Sequence, residues 1–517
     1  MAAETIAVID LGTNTFHLLI VEIDEKGSFY ITEKYKEAVK LGEGGMEKNE
    51  ILPPAFERGM RAMENFRKII DSRGAQKVFA YATAAIRGAK NSEAFIKQAW
   101  QLANIPIKVI NGYEEASLIY QGIRYGLTLP AQEDVLIVDI GGGSVELIVA
   151  NRVCAKYLQS IEVGAARALE FIQPDDPITQ EQIQSTIQYF REALKQTLEQ
   201  LKTFQLATLI GSSGTFETLG AMIAHQRGDR HLVDTLNGFI FDRKQFLEAH
   251  DKILAKSRDE RLALPGMDPN RVDMILTGVI LVNLLLQELN INQIMVSTYA
   301  LKEGILVNYM ETQRLLQPLE LYEQNFREKA ILQLAEKYNY AREHARLVSK
   351  IATQIFDQTY ALHHYGAHER ELLQYAALLL DIGHFINRSG HHKHSQYIVQ
   401  NSNIPGFTAN EILLLSNLVR YHRKSLPSLE HMHYNLLYRE HKELVKKLAG
   451  ILRIATNLDR AHRLAVEDVR VNIQNNKTII LMVKSSKNVD LEMSAALEAR
   501  ELFEIAFNCK LEIKQAK

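Results

Sequence analysis

A strand, a glycine turn and a second strand occur twice in this chain, and no other feature restricts its fold as much. The first copy reads AVIDLGTNTFHLLIV over residues 7–21, the second LIVDIGGGSVELIVA over 136–150. Superposed, Asp10 falls on Asp139, Gly12 on Gly141, Asn14 on Gly143 and Thr15 on Ser144. Apolar β-branched runs flank each turn directly, so the glycines are not a flexible linker. Glycine brings the backbone close to a ligand without a Cβ, and successive amide N–H groups then form an anion nest. Taken alone, the first turn reads as an ordinary hairpin. Taken as a pair, the turns predict two nests holding two ends of one phosphate chain.

Around each copy, strand and helix alternate, which predicts an α/β layer with a central sheet. A helix is expected through Phe56, Met60, Met63, Phe66 and Ile70, a strand at 77–83, and a helix at 91–103 capped by Asn91 or Ser92. Later strands are expected at 207–213 and 292–297. From about Arg314 strand signals vanish, and thirteen of the seventeen histidines lie between His344 and His462. That shift predicts a separate helical domain. Residues 469–484 read as a hairpin turning at Asn475–Asn476. At 517 residues the chain exceeds one core. The boundaries predicted are 1–128, 129–312, 313–465 and 466–517.

Composition excludes several classes. The net charge of −2 draws no polyanion by itself, so any anion site is local and no nucleic-acid partner is expected. Two cysteines cannot make a disulfide scaffold and fit a reducing, cytoplasmic setting. No apolar run reaches the roughly 18 residues needed to span a membrane, and Asp10 interrupts the first one, which reads as a core strand rather than a signal peptide.

The candidate phosphate contacts are Thr13, Asn14 and Thr15, the run Gly141, Gly142, Gly143 and Ser144, and a third turn, Gly211, Ser212, Ser213, Gly214 and Thr215. This last lies between a strand and a helix, where the helix N-terminus favours anions. Asp10, Asp139 and Glu146 are the nearest carboxylates. Beside phosphate oxygens they would need a hard cation between, Mg2+ or Mn2+, and Asp139 is the leading ligand. The alternative for Asp10 and Asp139 is a strand-end residue bonding its own turn.

The segments DLGTNTFHLLI, ATAAIRGAKN, VINGYEEASLIYQGI, LIVDIGGGSVELIV, GAARALEF, LIGSSGT and MVSTYALKEGIL, in this order, resemble the exopolyphosphatase / guanosine-pentaphosphate phosphatase family. RSGHHKHSQYIVQNSNIPGF and LVRYHRKS resemble its longer members. The resemblance implies two actin-like, ribonuclease H-like α/β domains of the actin, sugar-kinase and heat-shock-ATPase fold, then a helical HD-like domain and a small α+β appendage. It implies release of terminal phosphate from inorganic polyphosphate or from guanosine pentaphosphate, with Mg2+, and a homodimer. The family's catalytic glutamate falls on Glu115, and its arginine motif on Arg87, a phosphate contact. Lys302 stands where an arginine is usual. In the HD-like domain His344 could be a first metal ligand, but Leu380 and Thr456 occupy other ligand positions, so no transition metal is expected there. His391, His392 and His394 read as a solvated basic surface. His391, Lys393, His394, Arg420, Arg423 and Lys424 form a candidate polyphosphate track. An actin-like ATPase or sugar kinase, and a non-catalytic binder of polyphosphate or guanosine tetra- and pentaphosphate, remain open readings.

Overall fold

The structure is a computed structural model and describes residues 4–24, 29–229, 235–313, 326–402, 404–474 and 477–516. The chain divides into two compact units, 1–324 and 325–517.

The first unit carries two sheets built to one plan. In the first, β1 (Glu4–Leu11) pairs antiparallel with β2 (Phe16–Ile23), which pairs with β3 (Phe29–Glu37). On its other side β1 runs parallel to β4 (Lys77–Ala82), which is followed by β5 (Ile107–Val109), giving the order β3-β2-β1-β4-β5. The second sheet repeats this with β6 (Val135–Ile140), β7 (Val145–Ala150), β8 (Ala155–Ile161), β9 (Thr208–Ser212) and β11 (Gln293–Val296). An antiparallel edge strand, β10 (Ile240–Asp242), is added, and the order is β10-β11-β9-β6-β7-β8. The duplication seen in the sequence is therefore a duplication of topology. β1 and β6 are central strands, and their continuous apolar runs are buried from both sides.

The helix Pro53–Ser72 buries Met60, Met63, Phe66 and Ile70 against the first sheet's core, as its period predicts. Asn91 precedes the helix Ser92–Ala103 but makes no side-chain cap. Its amide instead bonds both backbone groups of Ile51, accepting from the N–H at 3.0 Å and donating to the carbonyl at 2.8 Å.

The second unit is helical, with a three-stranded sheet of β12 (Asp468–Gln474), β13 (Thr478–Lys484) and β14 (Lys510–Gln515). β12 and β13 are antiparallel, and the predicted turn at 475–476 lies outside the described residues. Val469, Ile479, Leu481 and Phe503 share one core with Val348, Leu372, Leu415 and Leu448 of the helices. His391 and His392 are 3% and 5% exposed. The solvated reading fails for both, because the helix His391–Gln400 turns them into the bundle and leaves Lys393 outside. His391 therefore cannot serve as a surface contact of a polyphosphate track. Lys393, Arg423 and Lys424 are exposed, and His394 and Arg420 are partly so.

Candidate active site

Residues directly opposite on antiparallel strands share a face of the sheet. Asp10 lies opposite His17 in the first hairpin, and Asp139 opposite Glu146 in the second. Each strand end thus delivers a pair of titratable side chains beside its glycine turn.

The two turns meet. A Cβ on Gly143 would sit 2.6 Å from Thr13 Oγ1 and 2.8 Å from Ala84 Cβ, so only glycine lets the turns approach this closely. The carbonyls of Gly141, Gly142 and Gly143 accept from the N–H groups of Ala165, Ala166 and Gly164 at 2.9, 3.0 and 3.2 Å. In a trans peptide the N–H points opposite to the C=O. The amides of Gly142, Gly143 and Ser144 therefore face away from residues 164–166. Both turns line one open cleft, together with Asp10, Glu115, Asp139, Glu146, Ser213 and Gly214.

Glu115 enters on the first turn of the helix Gly112–Gly126, whose N-cap Asn111 accepts from Glu114 N at 2.8 Å. Glu115 is 5% exposed and faces the cleft, whereas Glu114 is turned out to pair with Lys108. Arg87 Nη1 donates to Glu115 Oε2 at 2.8 Å and to Ile110 O at 3.1 Å. Arg87 is thus bound to the glutamate at the edge of the cleft, and its contact in this structure is with Glu115.

Burial raises the pKa of Glu115 to about 7, with Arg87 opposing and Asp139 adding to the rise. Asp10 is also raised to about 7 by burial, against the pull of Lys302 and with the push of Glu115 and Asp139. Asp139 is raised by burial although Ser212 Oγ donates to its Oδ2 at 2.6 Å. Glu146 is pushed well up by burial and by Glu115 and Asp139, while Ser160 Oγ donates to it at 2.7 Å. Four carboxylates line one cleft and raise one another's pKa values. An all-oxygen donor set of this kind fits a hard divalent cation.

Three predicted phosphate contacts stand behind the wall rather than on it. Gly211 leaves room for the ring of Phe216, which a Cβ would meet at 2.0 Å. Ser212 is fully buried and spends its hydroxyl on Asp139. Thr215 is 2% exposed and packs on Gly278. Ser213 and Gly214 do line the cleft, and Ser213 Oγ donates to Ile140 O at 2.9 Å.

Two cations complete the site. Lys302 is partly buried beside Glu303 at 3.3 Å; desolvation lowers its basicity, and Glu303, Glu217 and Asp10 outweigh that. Arg271, absent from the sequence reading, lies over Gly214, where a Cβ would be 2.3 Å from its Nε. That Nε has no hydrogen-bond partner among the described residues. No periodicity or spacing announces Arg271, since it sits in a turn just before the helix Ile275–Glu288 and reaches the cleft only through the tertiary fold.

Residues 19–313 match the Ppx/GppA phosphatase family, and residues 326–504 match domain III of Ppx/GppA phosphatases. An exopolyphosphatase from Cytophaga hutchinsonii is 34% identical over 60% of this chain and 98% of its own, with a TM-score of 0.58. An exopolyphosphatase-like protein is 25% identical over 60% and 99%, with a TM-score of 0.54. A Ppx/GppA family member from Aquifex aeolicus shares the fold at 23% identity, over 60% and 99%, with a TM-score of 0.50.

Proposed function

This chain belongs to the Ppx/GppA phosphatase family, and on that premise we propose that it is a phosphoanhydride hydrolase that releases terminal phosphate from inorganic polyphosphate, guanosine pentaphosphate, or both. The observation that carries the reading is Glu115, a buried carboxylate raised to about 7 that faces a cleft walled by two amide-bearing turns. A base of that pKa accepts a proton efficiently near neutral pH.

Phosphoryl transfer needs charge neutralised and water aimed in line more than it needs covalent help. The amides of Gly142, Gly143 and Ser144, with Thr13 and Thr15, receive the phosphate oxygens. Lys302 and Arg271, both lining the cleft, supply positive charge. Glu115 takes the proton of the attacking water while Arg87 holds its carboxylate in place. The P–O–P bridge breaks, and the shortened chain leaves with the electrons of that bond. Asp139, Asp10 and Glu146 would hold Mg2+ or Mn2+, which when bound supplies Lewis-acid stabilisation of the phosphate charge. Lys393, Arg423 and Lys424 would add affinity for a long anion through counterion release.

The test is phosphate release from polyphosphate and from guanosine pentaphosphate side by side, for the parent and for Glu115→Gln. Release in the parent that disappears in the variant supports the reading. Release from neither substrate, or equal release by both proteins, refutes it. Phosphate transferred to a sugar instead would revive the kinase reading.

A further inference from the structure

The C-terminal unit buries a convergence of imidazoles on one carboxylate that the chemistry of the cleft does not use. Asp381 follows the helix Ala367–Leu379 and opens the short 3-10 turn Ile382–Phe385. The turn is fastened to the helix His391–Gln400: Gly383 N donates to Ser395 Oγ at 2.9 Å, and Ser395 Oγ donates to Leu380 O at 2.7 Å. Histidines from four other places surround it. His344 Nε2 lies 3.6 Å from Asp381 Oδ2, while His391 Nε2 and His422 Nε2 lie 3.1 and 3.8 Å from Oδ1. The ring of His462 stacks on that of His344 at 3.8 Å and brings its own nitrogen into the same group.

The far nitrogens of two of these rings are already committed. His344 Nδ1 lies 2.8 Å from Oδ2 of Asp459, a fully buried carboxylate that only accepts. His422 Nδ1 lies 2.7 Å from the carbonyl of Val419. Both rings therefore carry a proton on Nδ1 and turn Nε2, the nitrogen left to bind a metal, toward Asp381. Lone pairs and a carboxylate facing one another in a buried place repel unless a cation lies among them. Among the described residues His344 Nε2 has no hydrogen-bond partner, although the residue is only 3% exposed. An imidazole oriented by a carboxylate on its far nitrogen is the usual second layer around a metal. The spacing agrees as well: a tetrahedral ion with bonds of about 2.0–2.1 Å keeps its ligand atoms roughly 3.3 Å apart, and the three separations above lie around that value.

We propose that Asp381 holds a borderline-soft divalent ion of the Zn2+ class in one or both of two three-residue sets that share it, Asp381 with His391 and His422 and Asp381 with His344 and His462. An imidazole-rich set selects such an ion over Mg2+. The two residues that argued against a metal in the sequence are beside the point. Leu380 is fully buried in the core, and Thr456 Oγ1 donates to Leu452 O at 2.7 Å within its own helix. The donors come from His391 and His422, and the late carboxylate is Asp459. One charge competes: Arg423 Nη1 lies 3.1 Å from His391 Nε2, and the ion takes that lone pair by displacing an exposed side chain.

The test uses the full chain, stripped with a chelator, loaded with Zn2+ in excess Mg2+, desalted and analysed for metal. The parent and Asp139→Asn should each retain at least one Zn2+ per chain. Asp381→Asn should lose it, and His422→Gln should bind Zn2+ at least about tenfold more weakly. Co2+ in the parent should give visible d–d bands that Asp381→Asn removes. Thermal melting checks that each variant folds; if Asp381→Asn does not, His391→Gln and His422→Gln decide. A parent that retains no Zn2+, or folded variants that retain as much as the parent, would overturn the proposal and leave Arg423 as the cation that balances Asp381.

Discussion

Glu115 and Glu114 are adjacent in sequence and opposite in environment, so their substitution separates burial from charge. Glu115→Gln keeps shape and hydrogen bonding but removes the base, and kcat should fall about 100- to 10,000-fold with KM nearly unchanged. Glu114→Gln breaks only an exposed pair with Lys108, and kcat should stay within about twofold. Steady-state kinetics on one polyphosphate preparation reads both, and equal losses would reject the assignment. The pH profile follows from the same carboxylate. Glu115 must be deprotonated to act, so kcat/KM should rise with pH through about 7. A divalent cation beside Glu115 favours its charged form, so raising Mg2+ should move that limb to lower pH. A limb that ignores Mg2+ would place the cation elsewhere.

The two glycine turns were legible because their signals are local: apolar strands of period two, an aspartate at each strand end, and glycine between. The match of sheet orders shows how far that local signal carried. The sequence misled where a residue's role depends on what lies across the fold. Gly211 belongs to a glycine-serine run that looks like a nest, yet its missing side chain makes room for Phe216. Arg87 and Arg271 are both lone arginines in sequence, and only the tertiary structure turns the first to Glu115 and the second over Gly214. The histidine run 391–394 looked solvated because nothing in its composition tells which side of the helix His391–Gln400 is buried. Close approach of the turns is itself testable. Gly143→Ala adds a methyl into Thr13 and Ala84, and overpacking of that kind costs about 1–3 kcal/mol. Substrate affinity should fall more than at Gly74→Ala, which strains a left-handed backbone (φ +62°) but whose added atom meets nothing within 4 Å among the described residues. Denaturant unfolding and KM measured on the two variants give the comparison.

The two units store titratable groups of opposite kind, and their stabilities should respond to pH in opposite directions. In the first unit Asp10 and Glu115 are raised to about 7, and Asp139 and Glu146 are raised as well. Between about pH 4.5 and 7 the folded unit therefore holds more protons than the unfolded chain, and its stability falls as pH rises. His17, lowered by burial, opposes this but is one group against four. In the second unit burial lowers His363, His433 and His441, and Glu411 is held low by Arg327 although its own burial pushes the other way. Below about pH 6.5 the unfolded chain binds more protons at these groups, so stability rises with pH. Calorimetry of the metal-stripped full chain at about pH 5.5 and 7.5 should thus show one transition moving down and another moving up, each by a few degrees. Mg2+ identifies the first unit, because ligand binding to the folded cleft raises that transition and should do so more at the higher pH, where the carboxylates are ionised. Transitions that move together, or a Mg2+ effect largest at the lower pH, would mean that the cleft carboxylates do not govern the stability of their unit.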